Sequence, residues 1–205
     1  HPAADLPTRG SVGLNTPGRL ASVGTDHTDP TRARAFFLFK SPPLAYDRHD
    51  PEAHKSLVRR AFGDLGWQVP HLLDTLAPAT DLYFDSISRA DVPSWSTGRI
   101  ALAGDAACGA TIGGMGTGTG VVAAYVLAAE LARTPEAPHT AFARYETRLR
   151  AHAENCQKGG DRTGPFLAPA TRTGLRLRNT LLSRPRVLAW MLNQGKKAAT
   201  TLPLH

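Results

Sequence analysis

The stretch Gly98–Gly120, GRIALAGDAACGATIGGMGTGTG, constrains this chain more than any other. A short apolar run, Arg99–Ala103, reads as a buried strand that ends at Gly104, with Asp105 at its C-terminal edge. Open α/β sheets bind ligands at that edge. An Asp there can accept hydrogen bonds from sugar-like hydroxyls, and Ala106 and Ala107 leave room for close approach. Gly113-Gly114-Met115-Gly116-Thr117-Gly118 then leads into Val121–Leu131, which is apolar nearly all round and reads as a buried helix. Free backbone N–H groups at such a helix start carry partial positive charge and can hold a phosphate or an electron-rich cofactor edge. Plain close packing uses the same small residues, so the residues alone leave both readings open. The Walker pattern is absent, because no Gly-Lys-Ser/Thr follows the glycines. The dinucleotide fingerprint also fits poorly, because no strand leads to an acidic residue about 20 positions on.

The elements before this segment are strand-rich. Ser11–Leu14 and Arg19–Thr25 flank Asn15-Thr16-Pro17-Gly18, where Pro presets φ and Gly allows positive φ, so a hairpin is predicted. Ala33–Lys40 (ARAFFLFK) is the expected third antiparallel strand. Asp50-Pro51-Glu52 predicts a helix start with Asp as N-cap, running to about Leu65 with Leu57, Val58, Ala61, Phe62 and Leu65 on one stripe. A second helix is expected over Val69–Leu76, and the alternation in Asp81–Asp91 predicts a strand. Downstream, Thr140–Gln157 reads as an amphipathic helix, Gly159–Pro169 as a loop, and Thr171–Leu182 and Arg186–Ala198 as helices. Sheet first and helices later argues for an α+β portion followed by the end of a nucleotide-binding fold.

Several function classes drop out. With 41% hydrophobic and 20% charged residues over 205 positions, the chain has the make-up of a folded domain. No apolar run has the length of a membrane span, so no membrane partner is expected. His1-Pro2-Ala3 shows neither an initiator Met nor a signal peptide, and hints at a piece of something longer. Cys108 and Cys156 fit no zinc spacing and no disulfide framework, so free thiols in a cytoplasmic protein are expected, with no metal. The net charge of +7 is concentrated: residues 144–197 hold 12 Lys and Arg against 3 Asp and Glu. Arg172, Arg176, Arg178, Arg184 and Arg186 read as a solvated helix face, and no aromatic interleaving supports nucleic acid. His27, His49, His54, His71 and His139 are expected at the surface. Ser86 and Ser88 lack a nucleophile-elbow context. Phe36, Phe37, Phe39 and Phe84 are expected in the core or lining a cavity.

Gly98–Ala107 resembles the second FAD fingerprint of the class A, para-hydroxybenzoate hydroxylase-like flavoprotein monooxygenases. The following GGMGTG and VVAAYVLAAEL are most similar to the bacterial branch with tetracycline-inactivating and polyketide-tailoring oxygenases. The resemblance extends through DLYFDSISRAD and Trp95 upstream and Phe142–Leu149 downstream, but matches only the C-terminal half of the family's pattern. It implies an antiparallel substrate-domain sheet followed by the C-terminal strand and helices of an FAD-binding α/β domain. Residues 1–97 would then be substrate domain, 98–133 the FAD segment and 134–205 a helical region. FAD would be held by Gly104, Asp105, Ala106, Gly114, Met115, Gly116, Thr117 and Gly118. Asp105 would meet the ribityl or pyrophosphate region, and the Thr117 and Gly118 N–H groups the flavin N1/O2 edge. The segment Cys108–Gly113 would help wall the substrate cavity, with Thr111, Ile112 and Gly113 facing substrate. The chain departs from the family at Cys108 and Gly118, the latter tolerable because its contact uses backbone, and the missing Pro near Thr111 and Ile112 leaves the substrate class open.

The resemblance implies a hydroxylase or epoxidase for an aromatic or polyketide-like small molecule, of the kind used in secondary metabolism or antibiotic biosynthesis. It would use O₂ and NAD(P)H as transient reductant, with the remaining N-terminal FAD-binding portion as partner. No acid–base residue is assigned, since the cofactor carries the oxygen transfer while the protein positions and desolvates. The rival readings are an FAD-scaffolded cyclase of the same fold and a non-catalytic subunit completing a split FAD domain.

Overall fold

The computed structural model describes residues 10–26, 28–29, 31–109 and 116–190. The chain divides into two compact units, residues 1–86 with 167–179 and residues 87–166 with 180–205. Helices and small antiparallel sheets make up a mixed α+β architecture.

In the first unit, β1 (Ser11–Thr16), β2 (Arg19–Thr25) and β3 (Ala33–Phe39) form an antiparallel sheet in chain order. The predicted hairpin is present, and it is tighter than expected. Thr16 pairs with Arg19, so the turn is only Pro17-Gly18, with Gly18 at φ +73°. One sheet face carries Ala21 and Val23 on β2 opposite Phe37 and Ala35 on β3. Against it packs α1 (Pro51–Phe62), whose Val58 and Phe62 are buried; Phe37 and Phe39 meet Phe62 edge-on. Phe84 joins this core, whereas Phe36 is 40% exposed on the other face.

Asp50 caps α1 as predicted, accepting from the N–H groups of Glu52 and Ala53. The helix ends at Phe62 rather than Leu65. Arg19 closes that end, donating to Ala61 O at 2.8 Å and pairing with Asp64 at 2.6 Å. Leu65 still packs on the core. The second helix, α2 (Val69–Leu76), matches its prediction, and buried Lys55 reaches across to Ala77 O at 2.9 Å. His54 is a correction. It is buried, stacked on Phe84 at 4.9 Å, and donates to Asp47 O at 3.1 Å.

The strand expected over Asp81–Asp91 does not form. Its alternation is real, because Leu82 and Phe84 turn inward while Tyr83 and Asp85 face solvent. Alternation reports which side chains face a core, and a ladder also needs a neighbouring strand.

In the second unit, β4 (Ser96–Thr97) and β5 (Ile100–Ala101) make a two-pair ladder. β5 is shorter than the strand predicted over Arg99–Ala103, and it is not buried: Ile100 is 67% exposed. After it come α3 (Asp105–Cys108), α4 (Gly116–Arg133) and α5 (Pro138–Leu167). α5 runs 30 residues and takes in residues 159–167 of the loop expected at Gly159–Pro169, leaving only 168–169 outside it. Its buried stripe continues from Tyr145, Leu149 and Ala153 to Gln157 and Gly160. Tertiary contact along that stripe outweighs the roughly 1 kcal/mol each Gly subtracts from helix stability. The α4–α5 seam is apolar in the middle, with Val122, Ala123 and Val126 in one cluster with Tyr145, Leu149 and Ala153. It is polar at both ends. Glu130, 1% exposed, takes Arg148 at 2.6 Å and Arg133 at 3.2 Å, and Thr119 donates to the Cys156 thiol at 3.5 Å.

A last helix, α6 (Arg172–Leu182), starts one residue later than predicted, because Thr171 caps it through Gly174 N–H. Arg172, Arg176, Arg184 and Arg186 are exposed, as a solvated face requires, but Arg178 is a correction: it is half-buried and donates to Leu167 O and Asn15 Oδ1, each at 2.9 Å. Residues 186–190 are helical, and the rest of the predicted Arg186–Ala198 helix lies outside the described residues.

Candidate functional site

The candidate site is built at the turn after β5. Leu102 is fixed from both sides: its N–H donates to Trp95 O at 2.7 Å, and its carbonyl accepts from the Tyr145 hydroxyl at 3.2 Å. Tyr145 is fully buried, and burial pushes its phenol up to about 12, so it stays a donor. Two residues on, Gly104 adopts φ +61°, ψ −139°. Side chains are nearly excluded from this region of backbone space. That conformation turns the chain abruptly, and Gly104 O then accepts from the N–H groups of Ala107 and Cys108, starting α3. Asp105 and Ala106 are left exposed on the outside of the turn.

Gly104 also lies against Gly120. A Cβ on either would sit 3.7–3.9 Å from the other's Cα. The Asp105 turn and the early turns of α4 are thereby brought side by side. Gly116, Thr117 and Gly118 fall inside the first turn of α4 rather than in a loop before it, and Thr117 and Gly118 are exposed. The first four N–H groups of a helix have no partner within it. An exposed carboxylate beside a glycine-rich helix start is a donor and acceptor set for a ligand with both hydroxyls and an electron-rich edge. Gly114, Met115, Thr111, Ile112 and Gly113 lie outside the described residues. Cys108, expected at the head of a cavity wall, turns inward. It is 4% exposed, its thiol faces Gly104 O at 3.4 Å, and burial raises its pKa.

Residues that the sequence did not single out hold this turn. Gln157 donates to Ala90 O at 2.7 Å and Gly109 O at 3.3 Å, and Ala90 N–H also reaches Gly109 O at 3.1 Å. The residue after α3 is thus tied to Ala90. Glu146 accepts from Trp95 N–H at 3.0 Å and pairs with Arg150, which lies over the Trp95 ring at 5.1 Å and donates to Pro93 O at 2.9 Å. Glu146 is held below the usual carboxylate range by its bonds to Arg150 and Trp95, against the opposing pull of burial. The available signal was the four-residue spacing that carries Gln157 onto the buried stripe of α5.

No family model matches the chain. Over 143 residues it is 38% identical to a flavin-dependent monooxygenase of Legionella longbeachae, a stretch that is 69% of this chain and 36% of that protein. This chain is related to the flavin-dependent monooxygenases. An FAD-dependent monooxygenase of Sarocladium schorii is 32% identical over 113 residues, 53% of this chain and 26% of that one. Among solved structures it is similar to tetracycline destructase Tet(51), with a TM-score of 0.80 and 26% identity over 95% of this chain and 50% of that structure. The chain spans about a third of the length of the flavin-dependent monooxygenases it matches and half of the solved structure.

Proposed function

We propose that this chain supplies the flavin-facing turn of a longer FAD-dependent monooxygenase. The observation that carries the reading is the abutment of Gly104 and Gly120, which sets the exposed Asp105 beside the glycine-rich start of α4. In this reading residues 98–133 hold the cofactor, residues 1–97 serve the substrate and 134–205 form the C-terminal helical region. Asp105 accepts from hydroxyls of the ribityl or pyrophosphate region. The N–H groups of Thr117 and Gly118 face the pyrimidine edge, where a helix start favours negative charge. Gly104, Ala106, Gly114, Met115 and Gly116 shape the approach, and Thr111, Ile112 and Gly113 border the substrate. When bound and reduced by NAD(P)H, the flavin supplies the oxygen chemistry with O₂ on an aromatic or polyketide-like molecule. The chain's own residues position the cofactor and exclude water.

The reading requires the other part of the FAD site, so the 205-residue chain alone should hold FAD weakly. Titration of the purified chain with FAD, followed by fluorescence quenching, should give a dissociation constant well above micromolar. Sub-micromolar binding would contradict the assignment of the remaining contacts to a separate portion. In the longer enzyme, substrate-dependent NADPH consumption separates a monooxygenase from a cyclase that uses FAD as scaffold.

A further inference from the structure

A cleft of about 250 Å³ opens in the second unit against the buried side of α3. Val92, Pro93, Ala107 and Ala153 supply carbon walls, with the buried Trp95 beside them. What remains free on the polar part of the lining is acceptors. All three nitrogens of the Arg150 guanidinium are engaged: Nε donates to Glu146 at 3.1 Å, Nη1 to Val92 O at 3.3 Å and Nη2 to Pro93 O at 2.9 Å. Gln157 is 8% exposed, and its Nε2 donates to Ala90 O and Gly109 O. Those two carbonyls fix which way the amide lies, and Oε1 is left as an acceptor with no partner among the described residues. Arg89 meets Asp91 through Oδ2, leaving Oδ1. Glu154 is exposed and has no hydrogen bond or ion pair among the described residues.

We propose that this cleft binds a small organic ammonium ion. An ammonium group carries donors and no acceptor, the complement of a lining whose unused groups are the Glu154 carboxylate, Asp91 Oδ1 and Gln157 Oε1. A mostly buried acceptor such as Gln157 Oε1 favours a donor that fills it. An anion is disfavoured, because Arg150 is the one cation on the lining and Glu146 already neutralises it, while two carboxylates remain. A bare metal ion does not suit the cleft either: among the described residues no group of three His, Cys, Asp or Glu side chains could hold one, and the carbon walls offer it nothing. They do offer burial to a carbon body. The volume lies below the roughly 300–1,000 Å³ of sites for drug-sized ligands, which limits that body to one ring or a short chain. Neither Asp105 nor any other residue given to the cofactor lines the cleft, so this is a second site. Its ligand would touch Ala107 and the Gln157 side chain that ties Gly109 to Ala90.

The test titrates benzylammonium, benzyl alcohol and benzoate, matched in size and differing in charge, into the 205-residue chain and follows its N–H signals by NMR. Benzylammonium should saturate with a millimolar dissociation constant and move the Gln157 side-chain amide and the Trp95 indole signals together. Benzyl alcohol should bind at least about threefold more weakly, and benzoate should not saturate. Glu154→Gln should weaken benzylammonium about threefold to tenfold and leave benzyl alcohol unchanged. An exposed side chain without a partner among the described residues carries little stability, so Glu154→Gln should melt with the native chain. Benzoate binding as tightly as benzylammonium, an indifferent Glu154, or shifts that spare Gln157 and Trp95 would each overturn the site. So would benzylammonium that never saturates, or a lowered Tm for Glu154→Gln, which would give that carboxylate a structural partner instead of a ligand.

Discussion

Gly104 and Gly120 touch, yet the structure gives them different reasons to be glycine, and substituting each in turn separates those reasons. At Gly104 the reason is conformational. φ +61°, ψ −139° is strained for any residue with a Cβ, while the space is open: the added carbon meets Gly120 Cα at 3.9 Å, an ordinary contact. The expected cost of Gly104→Ala is therefore torsional, about 1–3 kcal/mol. Gly120 sits inside α4, and its Cβ would meet Gly104 Cα at 3.7 Å without a clash. Replacing Gly by Ala in a helix interior gains about 0.8–1.0 kcal/mol, so Gly120→Ala should be neutral or stabilising in the isolated chain. Urea unfolding of the two variants checks this, provided the m-value is unchanged. A loss beyond about 1 kcal/mol at Gly120 with none at Gly104 would refute the reasoning. It would show that close approach, not backbone conformation, fixes the turn.

Three further expectations test what surrounds the turn. Tyr145→Phe removes the side-chain donor on Leu102 O and should cost about 1–3 kcal/mol in denaturant unfolding, with no loss of helix by circular dichroism. Glu130 has its carboxyl held low chiefly by the Arg148 hydrogen bond, so its contribution is present above the ordinary carboxylate pKa and disappears as pH falls through the depressed one. Glu130→Gln should therefore lower Tm at pH 7 and close the gap to the native chain in strong acid; a gap independent of pH would contradict the assignment. Asp50→Ala should cost about 0.5–2 kcal/mol by uncapping α1, read as a shift in the urea midpoint.

What was legible in the sequence is what short-range chemistry dictates. The Pro17-Gly18 hairpin, the Asp50 cap and the apolar stripe of α1 each depend on residues within a few positions of one another, and each is where it was expected. The Gly104–Asp105 pair was legible as a turn, but the buried strand expected to end at Gly104 is not there: β5 stops at Ala101 and Ile100 is exposed. The failures are all long-range. Asp81–Asp91 alternates but finds no strand to pair with. Gly159, Gly160 and Pro165 are helix breakers by propensity, yet they lie inside α5 because Gln157 and Gly160 are buried on its stripe. Val121–Leu131 looked apolar on all sides, and the structure divides it into a packed face and a bare one. Composition cannot separate a helix buried all round from one with a second face still uncovered.

The polar residues of α5 explain how so short a turn keeps its shape. Tyr145 and Gln157 donate to the carbonyls of Leu102, Ala90 and Gly109, and Glu146 accepts from the N–H of Trp95. Arg150 donates to the carbonyl of Pro93. In each case a side chain on a rigid helix engages backbone rather than another side chain, so the bond fixes where the main chain runs whatever residues the turn carries. A backbone polar group left unpaired on burial costs about 1–3 kcal/mol, and four carbonyls and one N–H on residues 90–109 are engaged this way. The backbone around Asp105 is thus held by a frame on α5. Side chains at the exposed positions can then be exchanged while the path of the chain stays fixed. That division of labour also accounts for a turn that persists in a chain spanning only half of a solved relative: every group that holds it lies within the same compact unit.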